Sequence, residues 1–240
     1  MKYFVRTDIG KVRSLNEDAY YLPREGECFC AIADGMGGHN AGEVASAMAV
    51  DVFSGELRAC ASIQGVAMRE AVEKANAAVF SRSISAAEFS GMGTTFTALA
   101  VNGGNVHIAH VGDSRAYLIR NGCIMCLTLD HTLVQEMVLQ GLITPREAKY
   151  HPKRNYITRA LGTDGSVEVD LIQIELQAGD VFFLCTDGLS NHVEDRAILE
   201  ITQGEGSWEE KLGKLIQRAL DDGGSDNITA MYAVNEEEHR

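Results

Sequence analysis

The sequence is poor in proline and tryptophan and has no long hydrophobic run. Its 240 residues include three prolines and one tryptophan, so no proline-rich linker or low-complexity segment divides it. No stretch approaches the roughly 20 apolar residues of a membrane-spanning helix. The opening MKYFVRTD lacks the apolar core of a secretion signal. We therefore expect one domain over residues 1–240, cytoplasmic and without a membrane partner.

Positive charge is also scarce. The chain has 21 Lys and Arg residues against 34 Asp and Glu residues, which gives a formal net charge of −13. Proteins that bind nucleic acid through its phosphates need the opposite sign, so we expect no nucleic-acid partner. Clustered carboxylates are instead suited to hard divalent cations.

Several common catalytic motifs are absent. No cysteine is followed six positions later by arginine, as a cysteine-dependent phosphatase loop requires, and GxxxxGK[ST], GxSxG and HExxH do not occur. The usual nucleotide-binding loop, serine hydrolase and zinc protease are thereby excluded. Cys123 and Cys126 have no second ligand pair for zinc. For the other four cysteines, at positions 28, 30, 60 and 185, we expect buried, reduced thiols.

Apolar periodicity and turn residues predict both strands and helices. Asn- and Gly-rich turns at residues 102–105 and 121–122 join two pairs of apolar runs as hairpins. Strands joined in this way pair antiparallel, so we predict an α+β layered sandwich with helices packed outside the sheets. The predicted strands are residues 3–6, 28–33, 94–101, 106–111, 116–119, 124–127, 169–174, 181–185 and 228–234. Capping pairs mark three helix starts, namely Asn40 with Glu43, Thr144 with Glu147, and Ser207 with Glu210.

Four aspartates lie at the ends of predicted strands. Asp34, Asp113 and Asp187 each follow an apolar run, and Asp226 precedes the last one. An Asp-Gly pair alone usually marks a turn. Carboxylates that converge on one sheet edge repel each other unless cations bind among them. Because the ligand set contains only oxygen, the pattern predicts Mg²⁺ or Mn²⁺ instead of zinc.

A further charged cluster, Arg13 with Glu17 and Asp18, follows the first predicted strand. A single surface arginine is usually a solvated cation. Beside a metal cluster, however, its planar fork of N–H groups is suited to binding a phosphate.

Taken in order, these segments resemble the metal-dependent protein phosphatase family of type 2C. The resemblance extends over essentially the whole chain, and residues 39–46 (HNAGEVAS) and 157–162 (ITRALG) match its short bacterial branch in particular. The other matching segments are Arg13 with Glu17-Asp18, residues 34–38 (DGMGG), 93–95 (GTT), 111–115 (VGDSR), 186–188 (TDG) and Asp226-Asn227.

The resemblance implies a fold and a central pair of metal ions. The implied fold is a four-layer α-β-β-α sandwich of two antiparallel sheets flanked by helices, with a small helical flap at about residues 131–159. Asp34 would bridge two Mn²⁺ or Mg²⁺ ions, and the Gly35 carbonyl would bind one of them. Asp187 and Asp226 would complete the first site.

The resemblance also implies roles outside the central pair. Asp113, together with Asp187, would hold a third, more weakly bound ion. Glu17 and Asp18 would act mainly through metal-bound water, and Arg13 would bind the substrate phosphate.

One residue departs from the family pattern. Many eukaryotic members have a histidine directly after the Asp-Gly pair as the proposed general acid, whereas this chain has Met36, which carries no proton. His39 is close in sequence, but its place before a predicted helix cap favours a loop or packing role. We therefore expect a metal-bound water to donate the proton.

Basic residues are concentrated in the C-terminal half of the flap. Within residues 146–159 the one acidic residue is Glu147. The excess fits a solvated helix or, equally, a patch that attracts phosphorylated peptides. The basic residues are Arg146, Lys149, Lys153, Arg154 and Arg159.

The sequence thus predicts a metal-dependent phosphatase acting on phosphoserine and phosphothreonine in proteins, through a metal-bridging hydroxide. Its partners would be phosphorylated proteins, among them a serine/threonine kinase and its substrates, and we expect a monomer. Two alternatives stay open, a metal-dependent phosphodiesterase and a pseudophosphatase that only binds partners.

Overall fold

The computed structural model describes residues 1–37, 41–60 and 62–236. The strands are Lys2–Asp8 (β1), Asp18–Tyr21 (β2), Phe29–Met36 (β3), Gly93–Thr94 (β4), Phe96–Asn102 (β5), Asn105–Val111 (β6), Arg115–Arg120 (β7), Cys123–Cys126 (β8), Asp170–Glu175 (β9), Val181–Cys185 (β10) and Ile228–Val234 (β11). The helices are Ala41–Arg58 (α1), Gly65–Ser83 (α2), Leu133–Leu139 (α3), Pro145–Lys149 (α4), Asp187–Ser190 (α5), Asp195–Gln203 (α6) and Trp208–Asp221 (α7).

The strands form two antiparallel sheets. One has the order β1-β11-β10-β7-β8, and the other has the order β2-β3-β5-β6-β9 with the short β4 paired to the end of β3. Both predicted hairpins are present, as β5-β6 and β7-β8. The predicted α+β sandwich is therefore confirmed.

Three apolar layers hold the sandwich together. The first lies between α1, α2 and the six-stranded sheet, and includes Phe53 and Phe96. The second lies between the two sheets and includes Leu99 and Phe182. The third lies between the five-stranded sheet and the last helices. Because helices cover the outer face of each sheet, the architecture is the predicted four-layer α-β-β-α arrangement. No helix in the described part of the chain is long and apolar enough to cross a membrane.

The capping predictions can be checked at two of three helices. Thr144 and Ser207 each form the predicted capping box, with Glu147 and Glu210 respectively. The third predicted cap, Asn40, lies outside the described residues.

Several predicted boundaries and two predicted burials are wrong. The run predicted as one strand from 94 to 101 is broken at Thr95, so that β4 and β5 are separate. The Thr95 side chain bonds to Asp34 in β3 and to Ser114 in the turn after β6. Helix α6 and strand β2 were not predicted, because they are short and partly exposed. Of the cysteines expected to be buried, Cys60 is exposed just after α1, and Cys28 is partly exposed just before β3.

We predict that α7 depends measurably on its N-cap. The Ser207 hydroxyl accepts a hydrogen bond from the Glu210 backbone N–H at 3.2 Å, and the Glu210 carboxylate accepts one from the Ser207 N–H at 2.8 Å. Ser207→Ala should lower the free energy of unfolding by about 1 kcal/mol, measured by urea denaturation. Ser207→Asp keeps an acceptor at the cap and serves as the control. An equal loss in both variants would contradict the capping explanation.

Candidate metal centre

Most of the predicted site residues line a single cleft of about 520 Å³. It opens where the ends of the two sheets meet, since β10 and β11 belong to one sheet and β3 to the other. Of the predicted site residues, Asp18 does not line this cleft, although it is the register partner of Asp34 on the neighbouring strand. The lining residues are Arg13, Glu17, Asp34, Gly35, Met36, Gly37, Asp113, Asn155, Tyr156, Ile157, Asp187 and Asp226.

The backbone of Asp34 is held by Thr94 and Thr95, which lie beside the end of β3. Its backbone N–H donates to the Thr95 hydroxyl at 3.0 Å, and its carbonyl accepts from the Thr94 hydroxyl and the Thr95 N–H, each at 2.9 Å. Burial, followed by the nearby carboxylates of Asp18 and Asp187, raises the pKa of Asp34 well above its ordinary range. A carboxyl in this setting takes up a proton or a cation.

Gly35 is required by a close approach of three backbone segments. A Cβ atom at this position would lie 2.2 Å from the carbonyl oxygen of Gly42 and 2.5 Å from that of Glu17. The Gly35 N–H also donates to the Glu17 carbonyl at 3.1 Å. The close approach places the Glu17 loop directly beside Asp34.

Asp18 lies behind the cleft between the two sheets. Its Oδ2 accepts hydrogen bonds from the hydroxyls of Thr186 at 3.0 Å and Thr229 at 2.6 Å. Its Oδ1 is buried and has no hydrogen-bond partner among the described residues. Burial raises the pKa of Asp18 to about 7, against the lowering effect of the two threonines.

Asp113 is 7% exposed and lies in the turn that carries the chain from β6 in one sheet to β7 in the other. Like that of Asp18, its Oδ1 is buried without a hydrogen-bond partner in the described part of the chain. Burial and then the charge of Asp187 raise the pKa of Asp113 to about 8. An unpaired buried carboxylate oxygen is costly, and a cation would offset that cost.

Asp187 begins α5 immediately after β10. Its carboxylate accepts a hydrogen bond from the Asn191 side chain at 3.0 Å and lies near that of Asp34. Burial and then Asp226 raise the pKa of Asp187. Neighbouring carboxylates that are both ionised repel each other, so this pair favours a bound proton or cation.

Arg13 lies among the carboxylates. Its guanidinium donates to Asp226 at 2.9 Å and lies 3.8 Å from Glu17, while its side chain is 46% exposed. It therefore occupies the solvent side of the cluster, where it faces both the acids and the open cleft.

Asn227 holds the loop that carries Arg13 and Glu17, and it is not among the predicted site residues. Its side-chain oxygen accepts from the Glu17 N–H at 2.8 Å, and its amide donates to the carbonyls of Ile9 and Leu15, each at 2.9 Å. Thr95, Thr186 and Thr229 were missed in the same way. The GTT, TDG and DN segments contain Thr95, Thr186 and Asn227 but do not indicate which atoms these residues bind, and none of the matching segments contains Thr229.

The donors present fit a hard divalent cation. Within residues 1–37, 41–60 and 62–236, no three Asp, Glu, His or Cys side chains are already closed around one point. Two buried carboxylate oxygens without partners, four aspartates with raised pKa and a set of donors that are all oxygen together favour Mg²⁺ or Mn²⁺ over softer metals.

The basic flap residues differ in their surroundings. Lys149 bonds to Glu194 at 2.6 Å, and Arg159 bonds to Asp170 at 2.7 Å. The expectation that Glu147 is their sole acidic counterpart is wrong, because the fold brings acids from outside the flap against them. Lys149 and Arg154 also line a groove of about 800 Å³, which shares Asp113, Asn155 and Asp187 with the cleft. His39, the other residue considered as an acid, lies outside the described residues.

Comparison with known proteins identifies close relatives. A family model described as Protein phosphatase 2C matches residues 11–231. The serine/threonine protein phosphatase PstP of Mycobacterium tuberculosis is 42% identical over 97% of this chain, which spans 45% of that relative's length. The serine/threonine phosphatase stp of Listeria monocytogenes is 38% identical over 94% of this chain and 92% of its own.

Solved structures agree with this grouping. The catalytic domain of PstP in complex with two manganese ions has a TM-score of 0.88 and 39% identity, with 98% of both chains covered. A bacterial serine phosphatase has a TM-score of 0.93 and 37% identity over the full length of both chains.

The raised pKa of Asp113 predicts a pH-dependent stability in metal-free protein. The folded state keeps a proton on Asp113 up to about pH 8, whereas the unfolded chain releases it near pH ~3.9. The stabilisation is therefore complete below about pH 4 and is lost as pH rises towards 8. Asp113→Asn should gain stability relative to the unaltered chain across this window, measured by urea denaturation in chelator at several pH values.

The control for Asp113→Asn is Asp51→Asn, which removes an exposed carboxylate on α1. If the difference between Asp113→Asn and the unaltered chain does not change between pH 5 and 8, Asp113 does not carry a raised pKa.

Proposed function

The chain belongs to the protein phosphatase 2C family, and we propose that it is a metal-dependent phosphatase that hydrolyses phosphoserine and phosphothreonine in proteins. The observation that carries the proposal is the placement of the Arg13 guanidinium at the open side of one cleft that also contains Asp34, Asp113, Asp187 and Asp226. Hydrolysis of a phosphate monoester requires groups that bind cations and a group that binds the phosphate, close together. This cleft contains both, as carboxylates and an arginine.

We assign the metal ligands as follows. Asp34, the Gly35 carbonyl, Asp187 and Asp226 would hold a central pair of Mn²⁺ or Mg²⁺ ions, and Asp113 with Asp187 would hold a third. Glu17 and Asp18 would act through water. When bound, the ions lower the pKa of a water molecule and withdraw charge from the phosphoryl oxygens. The two manganese ions in the related PstP catalytic domain support the central pair.

Arg13 would orient the phosphate. Its guanidinium is already turned towards Asp226 and Glu17, and its exposed side leaves N–H groups for a phosphoryl oxygen. Cations bound to these carboxylates would weaken the hold of Asp226 on Arg13, since both compete for the same oxygens. A fork of donors then contacts phosphate in the ground state and in the transition state.

The proton for the departing serine or threonine oxygen has to come from water. Met36 lines the cleft at the position after Asp34-Gly35 and has no proton to give. No histidine lies among the described residues that line this cleft. We therefore assign the role of general acid to a water molecule held at the site.

The substrates would be phosphorylated proteins, including a serine/threonine kinase and its targets. The groove beside the cleft supports this assignment, because its 800 Å³ can accept the polypeptide that flanks a phosphorylated residue. Arg154 on the flap is exposed in this groove and forms no ion pair with the described residues. We also propose that residues 1–240 act as one catalytic domain, monomeric and cytoplasmic, with residues 131–159 as its flap.

The metal assignment predicts three inactive variants. Asp34→Ala, Asp187→Ala and Asp226→Ala should each abolish Mn²⁺-dependent hydrolysis of a phosphoserine peptide, because each removes a ligand of the central pair. Isothermal titration calorimetry should show lower Mn²⁺ affinity or stoichiometry in the same variants. Asp51→Ala, on the exposed face of α1, is the control and should keep both properties.

Assays of the unaltered chain separate the proposed function from its rivals. A phosphodiesterase would prefer bis(p-nitrophenyl) phosphate to the phosphopeptide, and a pseudophosphatase would turn over neither. Unchanged Mn²⁺ affinity and stoichiometry in all three aspartate variants would overturn the ligand assignment.

Phosphate recognition by Arg13 predicts a partial loss of catalytic efficiency when this residue is replaced. Arg13→Ala should raise KM and lower kcat on phosphopeptides at saturating Mn²⁺. A charge-assisted hydrogen bond contributes roughly 1.5–3 kcal/mol, so kcat/KM should fall about ten- to 150-fold. Arg24→Ala removes an exposed arginine that does not line the cleft and should leave kcat/KM unchanged. Full activity in Arg13→Ala would exclude Arg13 from the site.

A further inference from the structure

His131, the first residue of the flap, holds the turn that carries Asp113. The side chain of His131 is buried, with 6% of its surface exposed. Its backbone N–H donates to the Gly112 carbonyl at 2.8 Å. In return, the Gly112 N–H donates to ring atom Nδ1 of His131 at 3.0 Å. One histidine thus binds both backbone polar groups of the residue that precedes Asp113.

Donors approach both ring nitrogens of His131, the Gly112 N–H at Nδ1 and the Arg159 guanidinium, 3.0 Å away, at Nε2. A neutral ring accepts at only one nitrogen and carries a proton on the other. Asp170 Oδ2 lies 3.2 Å from Nε2 and can accept a hydrogen bond there, so we assign the ring proton to Nε2 and the lone pair to Nδ1. The same Arg159 nitrogen donates to the other oxygen of Asp170 at 2.7 Å. The ring is therefore held from both sides.

The Gly112 turn has little freedom of its own. Gly112 has φ +110°, and a Cβ atom there would lie 2.6 Å from the Thr95 side chain. Thr95 also bonds to the Ser114 hydroxyl at 2.8 Å. Thr95 therefore contacts this turn at Gly112 and Ser114, and His131 binds the same turn at Gly112. Asp113 lies between Gly112 and Ser114 in the chain, and its Oδ1 has no hydrogen-bond partner in the described structure.

His131 also forms part of the base of the flap. Its carbonyl accepts a hydrogen bond from the Thr158 N–H at 2.8 Å. The next residue, Thr132, pairs with Ile157, and Ile157 lines the cleft. The same residue is thus bonded to the Asp113 turn and to the flap segment that reaches the cleft.

We propose that His131 is a positioning residue, which keeps the Asp113 carboxylate aimed into the metal centre by accepting the Gly112 N–H at Nδ1 and ties that carboxylate to the flap. The proposal rests on the proposed function in one respect, that Asp113 is a ligand of a third cation. Its structural part, the Gly112 anchor, is independent of any metal.

Two variants of similar size separate positioning from packing. In His131→Asn, the side-chain oxygen can occupy the place of Nδ1 and accept the Gly112 N–H. In His131→Gln, the amide reaches towards the place of Nε2 and leaves Gly112 without that acceptor. In chelator, hydrogen exchange of the Gly112 amide, followed by NMR, should be on the order of tenfold faster in His131→Gln. It should stay near the unaltered rate in His131→Asn. Equal rates in His131→Gln and the unaltered chain would overturn the anchor.

Mn²⁺ titration tests the consequence for the metal centre. His131→Gln should lose the weakest Mn²⁺ site and keep the central pair, as Asp113→Ala should, whereas His131→Asn should keep all sites. Loss of the site in Asp113→Ala but not in His131→Gln would overturn the positioning role. If Asp113→Ala itself keeps every site, the third-ion assignment fails. The exchange rate of the Gly112 amide then decides by itself whether His131 anchors Gly112.

A measurement on the unaltered chain covers the case in which the variants do not fold. The ¹⁵N chemical shifts of the His131 ring should identify the Nε2–H tautomer. A proton on Nδ1 would overturn the proposal, because that nitrogen could not then accept from Gly112.

Discussion

Mutual repulsion among buried carboxylates is the constraint on which this site depends. Asp34, Asp113 and Asp187 share one cleft, and Asp18 lies directly behind it. Burial raises the pKa of each of them. Folding without a cation therefore requires protons and the guanidinium of Arg13 to offset the repulsion. The same repulsion that destabilises the metal-free site gives it affinity for divalent ions.

The sandwich brings these groups together because the chain crosses between the sheets at the site. The loop with Arg13 leads from β1 in one sheet to β2 in the other, and the turn with Asp113 leads from β6 back to β7. Short polar side chains fix the crossings. Asn227 binds the Arg13 loop through three backbone groups. Thr95 and His131 each form hydrogen bonds with the Asp113 turn.

The ionic contacts differ in what they contribute. Lys149 and Glu194 form an exposed pair, and such pairs contribute little to stability because water screens them. Arg159, in contrast, is only partly exposed and bonds to Asp170 beside His131. It joins the flap to the body of the protein next to the Asp113 turn. The flap is therefore anchored by its polar base, while Arg154 is exposed and forms no ion pair with the described residues.

The sequence by itself determined the class of fold, the antiparallel hairpins and two capping boxes, because periodicity and turn chemistry are local. It also determined the aspartates at strand ends, since Asp34, Asp113 and Asp187 each follow an apolar run. Only the tertiary structure decided that Arg13 bonds to Asp226, that acids from outside the flap pair with Lys149 and Arg159, and that Thr95, His131 and Asn227 hold the site. Those contacts join residues far apart in the chain, and a threonine, histidine or asparagine in a loop looks alike in sequence whether it faces water or a neighbouring backbone. The burial that sets the pKa of Asp113 is likewise a property of the packed sheets, which no local pattern encodes.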